Sequence, residues 1–337
     1  MSPTLQPLAR PASLSSSRNA TIDLVRTIAC LGVVIIHVHS STAAAESLGL
    51  FFLNFCVPFF FVTALTYFVN GLSPTVDVQR TVTKILKRIG IPFLTWSFVY
   101  TALLLVKSIV SGKPYSLDLV RIFLYGESAE HMYYLPELLA MQLLALGIYL
   151  VAHRTKLLAG LLLIAIPVAY LAWGHWHQYF GTTPTKCVIV YLAASFLIAP
   201  FIKSNTKHVS LLLLGIALFI LPIVVYGLGI TSSKFLNDYL FSLPLSGIGL
   251  LLIALNISAI SLPTWTKSIT TATYGIYLSH VMFLEAFEFI FEKTHQTINY
   301  DLVNKLAVAL LIFVACVVFI LIVRRISFLR PLVLGES

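Results

Sequence analysis

The feature that most constrains this sequence is a succession of apolar runs about 20 residues long, the length an α-helix needs to cross a hydrocarbon layer. They fall near residues 22–40, 48–70, 89–110, 132–152, 157–173, 184–202, 209–230, 239–260, 270–292 and 303–325. Lipid offers no partner to a backbone N–H or C=O, so each run must close its own hydrogen bonds. The expected fold is all-α, a polytopic membrane helix bundle of about ten transmembrane helices. Composition supports this. Of the 337 residues, 58% are hydrophobic and 10% charged, against about 25% charged in a soluble domain. That leaves too little polar surface to wrap a water-facing globule, and the same numbers exclude aqueous disorder.

Charge orients the bundle, because Lys and Arg collect in cytoplasmic loops. With the N-terminus inside, the inner segments hold fifteen of the 22 basic residues and the outer segments seven. This bias predicts an N-in, C-in arrangement. The net charge of +9 is spread over short loops. It is a topology signal and makes no case for nucleic acid. Cys30, Cys56, Cys187 and Cys316 all lie in apolar runs without CxxC or Cys/His spacing. They read as small buried hydrophobes, with no metal site and no disulfide framework.

Residues 1–20, rich in Ser, Pro and Ala, are expected to form a disordered cytoplasmic tail, and 327–337 a cytoplasmic C-terminal tail. The first apolar run lacks a persuasive cleavage site and reads as a retained span. Between the tails, residues 21–326 form one transmembrane domain. Its only sizeable hydrophilic loops are 71–88, inside, and 111–131, outside. Any chemistry must be built from the bundle and these two loops.

Ionisable groups within spans are costly and mark function by default. In the first span Arg26 and His37 are eleven residues apart, almost three helical turns, so they share a face about 16 Å apart along the axis. Asp23 can pair with Arg26 at i−3. His39 faces nearly the opposite way and reads as structural or substrate-lining. The ninth span carries Tyr274, Tyr277 and a mid-span His280, with Glu285 and Glu288 further out. The fourth is entered through Glu130-His131, followed by Pro136-Glu137. The inner loop ends in Arg80, Lys84, Lys87 and Arg88, a candidate phosphate-binding patch as well as a positive-inside signal. Plainer readings exist. Arg26 could be a snorkelling anchor, a histidine an interhelical hydrogen bond, and the tyrosines an aromatic belt.

Five blocks together resemble acyltransferase family 3, integral membrane enzymes that modify bacterial surface and extracellular glycans. They are Ile22-Asp23-Leu-Val-Arg26…His37; Val57-Pro58-Phe59-Phe60-Phe61-Val-Thr-Ala; Lys87-Arg88-Ile-Gly-Ile-Pro92-Phe-Leu-Thr-Trp96-Ser; His131-Met-Tyr-Tyr134-Leu; and Thr273-Tyr274-Gly-Ile-Tyr277-Leu-Ser-His280. Each is weak alone, but the ordered set is specific and spans roughly residues 20–325. The second block ends Thr63-Ala64 where the family usually has Ser-Gly. Lys84-x-x-Lys87 stands where some members have Arg-x-x-Arg. A fused outer domain, found in larger members, is lacking, so the chain resembles the compact ones.

The resemblance implies a multi-pass protein of the bacterial cytoplasmic membrane. It implies an acyl-CoA donor, most often acetyl-CoA, with no tightly bound cofactor, and a glycan or lipid-linked glycan acceptor at or beyond the outer face. It implies that His37 is essential. On that footing, His37 is the expected general base, since an imidazole with an ordinary pKa of about 6.5 suits proton abstraction at neutral pH. Glu130, His131 and Glu137 are expected to orient His37 or the sugar. Arg26, Lys84, Lys87, Arg88, Tyr277 and His280 are expected to hold the donor. The oxyanion stabiliser is unassigned, with Asn54 among several Tyr, Ser and Asn candidates. The rival readings are a transporter or flippase of a glycan precursor or small solute, and a structural subunit. The first predicts inverted repeats, and the two halves show none. The second leaves Arg26, His37, Glu137 and His280 unexplained.

Overall fold

The computed structural model describes residues 19–112, 117–158, 160–165, 168, 188–204, 206–227, 242–258, 260–263 and 266–336. The described residues are mostly helical, without a strand. The helices are α1 Ala20–His37, α2 Ala43–Leu53, α3 Cys56–Asn70, α4 Val78–Ile85, α5 Ile91–Ser111, α6 Tyr134–Arg154, α7 Lys156–Ala165, α8 Val188–Ser204, α9 Val209–Gly227, α10 Ser242–Asn256, α11 Thr266–Lys293 and α12 Leu302–Val323. Six stretches are long and apolar enough to cross a bilayer: 20–37, 43–70, 78–111, 134–152, 266–293 and 302–323. Shorter apolar helices fall within the expected fifth to eighth spans. Most of the N-terminal tail, and residues 169–187 and 228–241 of the expected spans and their connections, lie outside the described residues.

Proline placement explains the irregularities. A proline cannot donate to the carbonyl four residues back and its ring crowds it. Pro58 leaves the Asn54 carbonyl without its helical donor, and the expected second span is two helices, α2 and α3, broken at Asn54-Phe55. Pro92 does the same to the Arg88 carbonyl, and Leu86–Gly90 forms a π-helical turn between α4 and α5. The segment 71–88, expected as a loop, is helical from Val78, where Asp77 caps α4 by accepting the Arg80 N–H at 3.0 Å. Pro136 sits in the first turn of α6, and the chain before it, 127–133, is irregular.

Lipid is as apolar as leucine, so helices in a membrane associate through close contact and polar pairing. Glycines mark the closest crossings. A Cβ on Gly249 would lie 2.6 Å from the Gly215 carbonyl oxygen, joining α9 to α10. A Cβ on Gly247 would meet Pro58 at 2.5 Å, and one on Gly32 would meet Cys56 and Phe52 at 2.5 Å. Large apolar side chains such as Phe98, Ile109, Leu197 and Val303 point outward, as a lipid-facing surface requires.

The C-terminal segment, expected as a tail, is packed into the bundle. Arg330–Leu334 forms a π-helical turn beside α5, with Leu334 buried. Trp96 donates its indole N–H to the Val333 carbonyl at 3.0 Å. Arg324 binds Glu336 at 2.5 Å and donates to Thr271 Oγ1 and the Thr271 carbonyl at 2.9 Å each. The Gly335 backbone presses on the Arg88 carbonyl, where a Cβ would come within 2.5 Å.

Candidate active site

Two parallel helices frame the site. Along α1, Arg26, Cys30 and His37 recur at helical spacing, and along α11 so do Thr273, Tyr277 and His280. They meet pairwise. Arg26 donates to Thr273 Oγ1 at 3.3 Å, the Cys30 thiol to the Thr273 carbonyl at 3.4 Å, and the His37 ring lies 5.0 Å from the His280 ring between centroids. Asp23 stands 3.8 Å from the Arg26 guanidinium.

His131 joins this pair from the irregular chain before α6, its ring 6.0 Å from His37 and 4.7 Å from His280. Its position is held from several sides. Tyr277 donates its hydroxyl to the His131 carbonyl, and the Tyr100 and Tyr277 rings each stand edge-on to the imidazole at 5.3 Å. Tyr100 is itself fixed by donating to the Leu278 carbonyl at 2.7 Å. Gly126 makes the approach possible. It adopts φ 73°, which L side chains avoid, and a Cβ there would meet the Met132 carbonyl oxygen at 2.6 Å.

The cluster is graded in exposure. His280 and His131 are buried, the His37 side chain is 17% exposed, and Glu130, 3.7 Å from His37 Nδ1, is 89% exposed. His37 is therefore the member nearest open surface, with a carboxylate beside it. On that side of the cluster the helix ends carry further ion pairs, Lys107–Glu285 at 2.7 Å and His39–Glu288 at 3.4 Å.

On the other side lies a cavity of about 960 Å³. Its wall includes Arg26, Lys84, Arg88 and Lys207, and also Phe60 and Tyr134, whose rings pack against that of Tyr277, another lining residue. Tyr277 belongs to both, lining the cavity and bonding His131 with its hydroxyl. The Arg88 carbonyl, released by Pro92, accepts the Tyr274 hydroxyl at 3.2 Å. This ties the π-turn that carries Arg88 to α11.

The structure thus brings His37, Glu130, His131 and His280 together, and places Arg26, Lys84, Arg88 and Tyr277 on the cavity. Lys87 is exposed and outside the cavity lining. Glu137, on the first turn of α6, lies within electrostatic reach of the Tyr133 and Tyr277 hydroxyls. His280 belongs with the histidines and not with the basic groups. Lys207 and Tyr100 escaped the sequence reading. Lys207 looked like one more inner-loop cation, and Tyr100 is a single tyrosine in an apolar run. Among the described residues, no group of three or more His, Cys, Asp and Glu side chains is arranged to hold a metal ion.

Fold and site define a multi-pass, helical membrane protein with a cluster of three histidines beside a cavity lined by Arg26, Lys84, Arg88 and Lys207. A family model described as an acyltransferase domain, that of acyltransferase family 3, matches residues 19–325, and the chain belongs to this family of membrane acyltransferases. No curated protein and no solved structure gives a significant match to the chain.

Proposed function

We propose that the protein moves an acyl group, acetyl in the simplest case, from cytosolic acyl-CoA to a hydroxyl of a glycan or lipid-linked glycan, working in the bacterial cytoplasmic membrane. The observation that carries this reading is the two-sided site. A basic cavity ends at Tyr277, and the histidines above it reach open surface beside Glu130. Acyl-CoA has matching chemistry, with a polyanionic head for Arg26, Lys84, Arg88 and Lys207 and a slim pantetheine arm that would lie along α1 and α11. The rise from Arg26 to His37 is about 16 Å, which a narrow arm can follow and a bulky head cannot.

In this mechanism the acceptor hydroxyl arrives from the Glu130 side and His37 takes its proton. The oxygen attacks the thioester carbonyl, the C–S bond breaks, and the thiolate recovers a proton as free CoA. Glu130 orients His37 and favours its protonated form during attack. Glu137 acts through the Tyr277 hydroxyl, and His131 positions the chamber wall. An acyl-histidine intermediate on His37 follows the same geometry with two attacks in place of one.

The test is purified protein in proteoliposomes with radiolabelled acetyl-CoA inside and candidate glycans outside, wild type beside His37→Ala. Label transfer by the wild type and not by the variant is expected. Equal transfer by the variant removes His37 as base. Solute movement across the vesicles without consumption of any acyl-CoA replaces the reading with a transporter.

A further inference from the structure

His280 is fully buried, and one of its nitrogens is committed. Nδ1 lies 2.7 Å from the Tyr277 carbonyl oxygen, one turn back on the same helix. A carbonyl can only accept, so the proton sits on Nδ1. A neutral imidazole has a single N–H, and Nε2 is left as a bare lone pair. Nε2 is fully shielded and has no hydrogen-bond partner among the described residues. An unpaired buried acceptor is costly, and both ring nitrogens of the neighbouring His131 likewise have no hydrogen-bond partner among the described residues, so the unpaired nitrogens gather in this one cluster. This one is held among His131 and His37, with centroids at 4.7 and 5.0 Å.

The placement is as telling as the tautomer. His280 is one turn above Tyr277, a residue of the cavity wall, and beside His37, the histidine nearest open surface. It therefore stands between the two entrances. The mechanism needs a group there. The proton leaves the acceptor hydroxyl on one side of the cluster, and the thiolate that must receive it departs on the other.

We propose that His280 is a proton-relay residue acting through His37, with its backbone-locked Nδ1–H tautomer reserving Nε2 to receive the proton that His37 abstracts. The inference rests on the acyl-transfer reading above. The acceptor O–H bond breaks and its proton passes to His37 as the O–C bond forms and the C–S bond breaks. The His37 and His280 rings, 5.0 Å apart between centroids at rest, close to hydrogen-bond distance; His37 gives a proton to Nε2 of His280, and Nε2 passes it to the thiolate. Both rings end neutral, and the products are the ester and the free thiol. Nδ1–H stays on the Tyr277 carbonyl throughout.

His280→Asn tests this. An asparagine side-chain amide reaches the position of Nδ1 and can still donate to the Tyr277 carbonyl, but it has no group at Nε2. With acetyl-CoA and an acceptor that the wild type uses, kcat is expected to fall about 100-fold or more while the donor KM stays within about 3-fold. His280→Asn turning over like the wild type would overturn the relay, as would a loss confined to donor KM. If the wild type itself transfers no acyl group, the acyl-transfer reading fails first and the relay with it, a result distinct from an active enzyme indifferent to position 280. Nitrogen NMR of ¹⁵N-histidine-labelled wild-type protein gives a readout independent of turnover and of the variant's folding. A bare Nε2 and protonated Nδ1 are expected at neutral pH, and a protonated Nε2 in the resting enzyme would overturn the assignment.

Discussion

At the scale of single residues, the site separates by task along one pair of helices. His37 stands where proton abstraction meets open surface, and His37→Ala is expected to lower kcat by about 10²–10⁴-fold, the usual contribution of a general base. Transfer assays in detergent with an unchanged melting temperature would check it. Arg26 sits at the far end of the same helix face, on the cavity wall. Losing a charge-assisted contact costs about 1.5–3 kcal/mol, so Arg26→Ala should raise the donor KM about 10- to 100-fold with kcat little changed. Steady-state kinetics with acetyl-CoA varied would show this, and unchanged donor kinetics in a folded variant would remove Arg26 from the donor site. Much of this was visible beforehand. The eleven-residue interval between Arg26 and His37 sets their common face through helix geometry alone. The joining of His37 to His131 was not, because these residues are 94 positions apart in the chain, and no periodicity spans such a gap.

At the scale of elements, the irregular turns carry the site. The Leu86–Gly90 π-turn closes with the Ile91 N–H on the Leu86 carbonyl, and the Tyr274 hydroxyl takes the Arg88 carbonyl that Pro92 cannot bond. Pro92→Ala offers the carbonyl an ordinary helical donor and should draw Arg88 away from the cavity. A raised donor KM with near-normal kcat is expected. The chain before α6 depends likewise on Tyr277, whose hydroxyl holds the His131 carbonyl. Interhelical hydrogen bonds in membranes contribute about 0.5–2 kcal/mol, so Tyr277→Phe should lower thermal stability modestly and kcat more steeply, as His131 loosens. Equal thermal unfolding and equal kcat for Tyr277→Phe would show the bond to be idle. The prolines were plain in the sequence, but the partners of the carbonyls they release lay elsewhere in the chain.

For the whole molecule, cohesion comes from close helix crossings, since burying apolar side chains gains little in lipid. Gly215 and Gly249 let α9 and α10 touch backbone to backbone. Gly249→Leu must force them apart, and overpacking of this kind costs about 1–3 kcal/mol. The expected result is a lower melting temperature in detergent with donor KM retained in the folded fraction, because the crossing is not part of the cavity wall. An unchanged melting temperature would mean that the helices do not meet there. The docked C-terminal segment is a second such fastening. Arg324 joins the start of α11 to Glu336, and Gly335 closes on the turn that bears Arg88.

By itself the sequence determined that this chain is a membrane-spanning helical protein, and which helix face carries the arginine and histidine. Span length, charge bias and the 3.6-residue repeat are local properties, and local rules read them. The tertiary structure alone decided that three histidines from distant segments share one chamber, that Lys207 and Tyr100 belong near it, and that the C-terminal segment is built into the bundle. Those outcomes depend on which helices pack against which. In lipid that choice is made by glycine contacts and a few polar bonds between residues far apart in the chain, and no hydropathy pattern records it.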